Sequence, residues 1–173
     1  MPGSLIKISE ATGTGSAAEL KVTGIDSTYE VYYVTMYILP STDDKDLYLR
    51  VTKSGTAQTD SKYNMAQVGL REDASFADEA TQDQATMYAV SALGTTGAEI
   101  MMAQAYLFNF ADSSEYSYIT YRSSALVAST ELLGYTGSLY HEVASASDGI
   151  SLALESADNF STSSKIILYG LAK

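Results

Sequence analysis

Histidine occurs once in the 173 residues, at His141 within the run LYHEV. A serine hydrolase needs a histidine as its general base, and many such enzymes carry the serine in a Gly-x-Ser-x-Gly turn. No serine of this chain has those neighbours. The sequence therefore predicts no catalytic residues of this kind, and we expect His141 to lie at a strand end beside Glu142, partly in contact with water.

Two groups of acidic residues offer the paired carboxylates that hydrolyse glycosidic bonds. They are Asp43, Asp44 and Asp46 in the first group and Glu72, Asp73, Asp78 and Glu79 in the second. A sugar-cleaving enzyme of this type also needs a long groove with aromatic platforms, and the chain has no Trp and only 4 Phe. We interpret the acids as solvated loop residues, and the sequence predicts no enzyme.

The first acidic group lies in STDDKDLY, where three aspartates within four residues raise the question of calcium. An EF-hand needs a loop glycine and a bidentate glutamate, and both are missing. Only an irregular loop site remains open, and the simpler interpretation is a turn whose acids face water near Arg50. We therefore predict no metal site and no cofactor, while calcium binding by Asp43–Asp46 stays open.

Overall charge and composition exclude several classes of partner. The formal net charge is -11, and the 10 Lys and Arg residues are spread singly, so no basic stripe is present to bind nucleic acid. No 18 uncharged apolar residues run together, and the N-terminus lacks the basic and apolar regions of a signal peptide. We expect no membrane partner and synthesis in the cytoplasm.

Alternating residues predict strands along most of the chain. In YEVYYVTMYIL both faces are apolar, which is typical of a strand covered on two sides, either by a second sheet or by a neighbouring subunit. LYLRVTK and ISLALES alternate apolar and polar residues, as half-buried strands do. AEIMMAQAYLFNF and SYITYRSSALV are predicted to pair antiparallel across the ADSSE turn.

One segment lacks a strand pattern. Residues 73–90 are rich in Ala, and we expect a long surface excursion there, with helix tolerated from Phe76 to Ala85, followed by a strand near Thr86 to Ser91. Elsewhere about ten strands are separated by turns, without helical crossovers. The predicted fold class is all-β: one domain over residues 1–173, an antiparallel two-sheet sandwich of jelly-roll type with little helix.

The final run, SSKIILYGLAK, is predicted to pair inside a sheet, because terminal segments stay ordered when they are tied down in this way. This run also belongs to a resemblance. The stretches SLIKIS, DSTYEVYYVTMYILPSTDDKDLYLRVTKSG and GISLALESADNFSTSSKIILYGLAK resemble, in this order, the pattern of small jelly-roll virion proteins of tailed phages. These stretches cover about half of the chain, and their motifs are structural rather than catalytic.

The resemblance implies a place on the virion surface. The preferred expectation is a non-enzymatic capsid decoration (cement) protein, a homotrimer that binds the major capsid protein and stabilises coat subunits. The alternative is a tail-fibre or receptor-binding domain, whose excursion from Arg71 to Gln84 would bind a host-surface glycan or protein. The chain has 14 Tyr, and we expect some of them to pack between subunits: Tyr32, Tyr48, Tyr116, Tyr118 and Tyr121 cannot all lie in one small core.

Overall fold

The structure, a computed structural model, describes residues 4–127 and 131–172 and consists almost entirely of β-strands. Two single 3₁₀ turns, Gly97–Glu99 and Glu155–Ala157, are the helical elements of those residues, where no helix is long or apolar enough to cross a membrane. The strands are β1 (Leu5–Thr12), β2 (Glu19–Thr23), β3 (Val31–Ile38), β4 (Lys45–Lys53), β5 (Thr56–Ala57), β6 (Tyr63–Arg71), β7 (Phe76–Gln84), β8 (Met87–Leu93), β9 (Met101–Phe108), β10 (Ser117–Leu126), β11 (Leu132–His141), β12 (Gly149–Leu154) and β13 (Lys165–Leu171).

The strands form two antiparallel sheets. The larger sheet has eight strands in the order β1-β13-β3-β9-β10-β11-β6-β7. The smaller sheet has the order β2-β12-β4-β5, and β8 pairs with the other end of β4. Strands that are neighbours in a sheet are therefore often far apart in the sequence.

The connections between the sheets are those of a jelly roll. If β5 to β7 and the β10–β11 hairpin are set aside, the remaining strands follow the orders β1-β13-β3-β9 and β2-β12-β4-β8. The chain alternates between these two sheets in a pair of Greek keys, as a jelly roll requires. The predicted fold class is confirmed. Four of the inserted strands, β6, β7, β10 and β11, widen the larger sheet beyond β9.

The core lies between the two sheets. Tyr32, Val34, Met36 and Ile38 of β3 point into it. From the smaller sheet it receives Leu47, Leu49 and Val51 of β4 and Ile150, Leu152 and Leu154 of β12. Among the described residues nothing covers the opposite face of β3, whose side chains are half-buried or exposed. The chain itself thus covers one apolar face of YEVYYVTMYIL, and the other points outward.

The segment predicted as an excursion is a β-hairpin. Phe76–Gln84 forms β7, an edge strand that pairs with β6, and the connecting turn is short, with Ala74 at a φ of 64°. The expectation of a long surface loop with helical character was therefore wrong. Residues of β7 are mostly exposed on both sides. Backbone pairing with β6, rather than burial of its own side chains, explains why this polar segment is a strand.

The C-terminal strand completes the larger sheet, as the sequence predicted. β13 pairs antiparallel with β1 on one side and with β3 on the other. Ile166 and Leu168 are fully buried in the core, whereas Leu171 is exposed. Where β3 ends, the Ser164 hydroxyl donates to the Leu39 carbonyl at 2.8 Å and accepts from the Leu39 N–H at 3.0 Å. The chain end is therefore tied to the structure through both backbone and side chain.

A polar turn sets the start of β3. The Asp26 carboxylate accepts a hydrogen bond from the Thr28 N–H at 2.8 Å, and the Tyr32 hydroxyl donates to the Asp26 carbonyl at 2.6 Å. The hydrogen bonds from Thr28 and Tyr32 hold the pKa of Asp26 below its usual value. The run DSTYEVYY thus contains the residues that anchor a turn and, through the buried Tyr32 ring, attach it to the core.

The turn after β12 contains backbone strain that a glycine would relieve. Ser156 and Ala157 have φ values of 57° and 55°, a region that is costly for residues with a Cβ. We expect Ala157→Gly to raise the free energy of unfolding by about 0.5–1 kcal/mol, or the melting temperature by about 1–4 °C. Thermal denaturation measures this, with Ala153→Gly inside β12 as a control that should lower stability. An Ala157→Gly protein that melts below the wild type would contradict the assigned turn geometry.

Candidate functional site

The single histidine is buried rather than partly solvated. His141 is only 2% exposed at the end of β11, its Nε2 lies 2.9 Å from Oδ1 of Asp60, and its ring packs on Tyr63 with centroids 4.5 Å apart. Its Nδ1 has no hydrogen-bond partner among the described residues. No serine hydroxyl is therefore bound to this imidazole in the described part of the chain. The His141–Asp60 pair joins the end of β11 to the segment before β6.

The first acidic group does not converge on one point. Asp43 and Asp44 are exposed in the turn, and the Asp46 carboxylate is turned toward β8, where its Oδ1 accepts a hydrogen bond from the Ala92 N–H at 3.2 Å. Burial raises the pKa of Asp46 above its usual value, and repulsion from Glu155 adds to this effect. Within residues 4–127 and 131–172, no three side chains of a metal-ligating type are grouped to hold an ion.

The second acidic group is divided among separate structural contacts. Asp73 accepts from the Ser75 N–H at 2.8 Å in the β6–β7 turn, and Glu72 accepts from the Leu132 N–H at 3.1 Å. Asp78 is exposed on the outward side of β7, whereas its neighbour Glu79 points inward. Adjacent residues of a strand face opposite ways, so this pair cannot flank one bond. These acids therefore do not assemble the paired carboxylates of a glycosidase.

Glu79, like Asp46, departs from the expectation of solvated loop acids, because it belongs to a polar cluster between the sheets. Its carboxylate accepts hydrogen bonds from the Gln67 amide and, at 3.3 Å, from the Tyr135 hydroxyl, which itself lies 3.3 Å from Ser91 Oγ. The nearby Tyr121 hydroxyl is buried without a partner among the described residues, and burial raises the pKa of Tyr121. The cluster fastens β7 to β6, β8 and β11, so Glu79 is committed to internal contacts.

The candidate binding surface is the outward side of the larger sheet. We define the central face as the outward residues of its four middle strands, which form a regular grid across the paired registers. Its members are Val31, Tyr33, Thr35 and Tyr37 of β3, Met102, Gln104, Tyr106 and Phe108 of β9, Tyr118, Thr120, Arg122 and Ser124 of β10, and Gly134, Thr136, Ser138 and Tyr140 of β11.

The central face carries no acidic residue, although the chain has 21 Asp and Glu. Its one charged residue is Arg122, for which no ion pair is found among the described residues. On the neighbouring strands β13 and β6 the outward residues also lack acids, and Lys165 adds a second cation. Acids appear on this side at the two edge strands, with Glu10 on β1 and Asp78 on β7. The acidic residues that give the protein its net negative charge therefore lie outside the central face and outside its neighbouring strands β13 and β6.

Aromatic rings on and beside the central face support one another. Tyr33 packs against Tyr106 with centroids 5.0 Å apart and against Tyr169 of β13 at 6.3 Å, while Tyr118 packs against Tyr140 at 5.5 Å. The Tyr33 hydroxyl also donates to Gln104 Oε1 at 2.7 Å. These contacts hold the rings in place before any partner binds, which lowers the entropic cost of using them in an interface.

Two shallow grooves lie on either side of Arg122. One, of about 330 Å³, runs past Tyr37 and Met102, and the other, of about 550 Å³, runs past Tyr106 and Thr120. Several large side chains of this surface are exposed: Met102 is 55% exposed, Tyr106 42% and Tyr37 40%. The face therefore combines apolar side chains, hydroxyl and amide groups and a single cation, a composition that is suited to binding.

Sequence reasoning located part of this surface. Of the five tyrosines discussed above, Tyr32 and Tyr121 are buried and Tyr48 is half-buried, whereas Tyr116 and Tyr118 are exposed at the central face or beside it. Arg122, Gln104 and Tyr106 were not predicted to belong to a binding surface. The signal was present in the alternation of AQAYLFNF and SYITYR, but alternation alone does not tell which of two faces points outward.

Comparisons with known proteins leave the family open. No family model matches the chain, and no curated protein matches it. Among solved structures it is similar, at 9% identity and a TM-score of 0.30, to a fructofuranosidase from Schwanniomyces occidentalis complexed with fructosylnystose, of which this chain spans 35%. An endo-β-1,4-glucuronan lyase from the fungus Trichoderma reesei gives 9% identity and a TM-score of 0.27 over 86% of its length. These scores are too low to support an argument about fold or activity.

Proposed function

We propose that this protein is a non-enzymatic component of a phage virion surface, a capsid decoration protein that binds the major capsid protein as a homotrimer. The jelly-roll topology agrees with the fold that the resemblance to small virion proteins implies. The proposal also agrees with the placement of the chemistry-bearing residues, since His141, Glu72, Asp73 and Glu79 are each engaged in structural contacts.

The observation that carries the proposal is the central face. An ordered, tyrosine-rich and acid-free sheet surface is suited to protein–protein contact, because interfaces are enriched in aromatic residues and depleted of acids. A decoration protein needs one surface that binds its own copies or the coat and another that meets the solvent. The -11 net charge, placed away from the central face, suits a solvent-facing exterior.

A second candidate, a receptor-binding domain, is supported by a different feature than the one expected from the sequence. The excursion from Arg71 to Gln84 is a regular hairpin, so it no longer offers a long variable loop. The grooves beside Arg122 offer another site, because Tyr37, Tyr106 and Gln104 present a ring face and polar groups to a glycan. In a decoration protein another protein subunit would cover the central face, whereas in a receptor-binding domain the face would stay open for a glycan.

Copy number and position on the particle test the proposal. Purified phage particles would be labelled with an antibody to this chain and viewed by electron microscopy, with quantitative mass spectrometry against the coat protein. A decoration protein should be present in hundreds of copies distributed over the head. A few dozen copies confined to the tail would overturn the proposal and favour the receptor-binding alternative, and absence from the particle would overturn both.

A further inference from the structure

We infer that the central face packs against the same face of a second copy of this chain, turned toward a shared symmetry axis. The inference concerns self-association of the isolated protein. It therefore does not rest on the virion assignment, and it would hold for a homo-oligomer with any duty.

The distribution of charge favours a second copy of this chain as the partner of the central face. Two copies of a protein with a net charge of -11 repel one another, and the repulsion is smallest where acids are absent. The outward side of the larger sheet is acid-free over six adjacent strands, from β13 to β6, and its acids begin at the edge strands. Contact between two such faces keeps the acids of both copies at the periphery. A contact through an acid-bearing surface would bring carboxylates together instead.

The size of the surface fits a stable interface. Six strands spaced by about 4.8 Å, each contributing about seven residues of 3.3 Å, give a projected area of roughly 600–700 Å². Side-chain relief makes the accessible area larger than the projection. Specific interfaces bury about 800 Å² on each partner, so this surface has the extent that a stable homo-oligomer needs.

The protruding side chains and grooves of the central face are suited to a partner that has the same surface. Arg122 stands between two grooves, while Met102 and Tyr106 protrude beside them and are about half exposed. In a symmetric contact each copy supplies both the protruding side chains and the grooves that receive them. Arg122 has no ion pair among the described residues and lines a groove together with Tyr106. In a contact between two such faces, tyrosine rings of the second copy would offer it cation–π partners without an acid.

A charge introduced into the central face tests the inference. Tyr106→Glu and, separately, Met102→Glu place a carboxylate on outward positions, where the fold of one chain tolerates it. Phe76→Glu is the matched control, because Phe76 is 70% exposed on the same side of the sheet but lies on edge strand β7 near Asp78. Analytical ultracentrifugation across micromolar concentrations measures the mass, and circular dichroism verifies that each variant is folded.

We expect the wild type and Phe76→Glu to sediment as the same oligomer, with at least twice the 18.5 kDa chain mass. Both face variants should sediment as folded single chains, with an association constant lowered about 30-fold or more. A monomeric wild type would overturn the inference. This holds also if the monomer binds oligosaccharides through its open grooves. Face variants that keep the wild-type mass would overturn the inference as well. Neither result depends on where the protein lies on a particle.

Discussion

Removal of residues 166–173 should abolish cooperative unfolding. These residues contain most of β13, which lies between β1 and β3, so their loss leaves β1 without its ladder in the larger sheet and exposes one side of β3. Two fully buried side chains, Ile166 and Leu168, leave the core as well. Each such loss costs about 2–5 kcal/mol, which together approaches or exceeds the stability of a typical domain. Circular dichroism during heating should show no sigmoidal transition.

A shorter truncation separates strand loss from a general effect of the chain end. Removal of residues 172–173 leaves β13 intact and removes, among the described residues, the hydrogen bond from the Ala172 N–H to the Ser4 carbonyl at 3.0 Å. This control should melt within about 2 °C of the full chain, because an exposed terminal hydrogen bond contributes little. If the eight-residue deletion still melted cooperatively at the parent temperature, the assigned position of β13 would be mistaken.

Phe160→Ala should lower the free energy of unfolding by about 3–5 kcal/mol. Phe160 is fully buried although it lies outside the regular strands, in bridges to Ala17 and Pro40. Its backbone N–H donates to the Ala17 carbonyl at 2.8 Å, and its carbonyl accepts from the Gly15 N–H at 3.0 Å. The ring therefore fills the core where three connections meet. A decrease in melting temperature of about 6–20 °C is expected in thermal denaturation.

The same truncation at an exposed phenylalanine provides the comparison. Phe76→Ala removes a ring that is 70% exposed, so its effect on stability should stay within about 0.5 kcal/mol. Phe160→Leu, which keeps most of the apolar volume, should fall between these two variants. Equal stabilities for Phe160→Ala and Phe76→Ala would mean that Phe160 does not lie in the core.

The fold class was predictable because strand alternation and turn residues recur throughout the chain. LYLRVTK and KIILYGL became β4 and β13, and AEIMMAQAYLFNF paired with SYITYRSSALV across the expected turn. In LYLRVTK the apolar residues of the alternating pattern are the ones that the fold buries. Local pattern and tertiary burial therefore agree, and a single sequence is sufficient to detect them.

The orientation of β3 and β9 was not predictable, because both faces of each strand are mainly apolar. In β9 the inward residues include the small Ala103 and Ala105, whereas the larger Met102 and Tyr106 point outward. A hydrophobicity argument would place the larger side chains in the core. The core at β9 is instead filled from elsewhere, by the large Tyr121 of the adjacent β10 among others. Only the three-dimensional packing decides which face is spare, and with it the candidate surface.

Contacts made outside the segment itself explain the errors at β7 and at His141. The polar β7 has little preference for a strand of its own and is held by β6 through the register that joins Leu70 to Phe76. His141 is polar, and in the sequence it stands beside the acidic Glu142, yet Asp60 and Tyr63 approach it from the region before β6 and at its start. Asp60 lies 81 residues from His141 in the sequence, so the neighbours of His141 do not reveal its burial. β7 is held by the preceding strand β6, but its own residues lack an alternating strand pattern.

The position of β13 also sets the order of events during synthesis. β3 is bonded to a segment about 125 residues further along, as the Leu39–Ser164 hydrogen bonds illustrate, so its edge stays open until the last strand leaves the ribosome. At roughly 5–20 residues per second this interval lasts on the order of ten seconds. High contact order of this kind also predicts slow folding, with the aromatic edge available for mispairing between nascent chains.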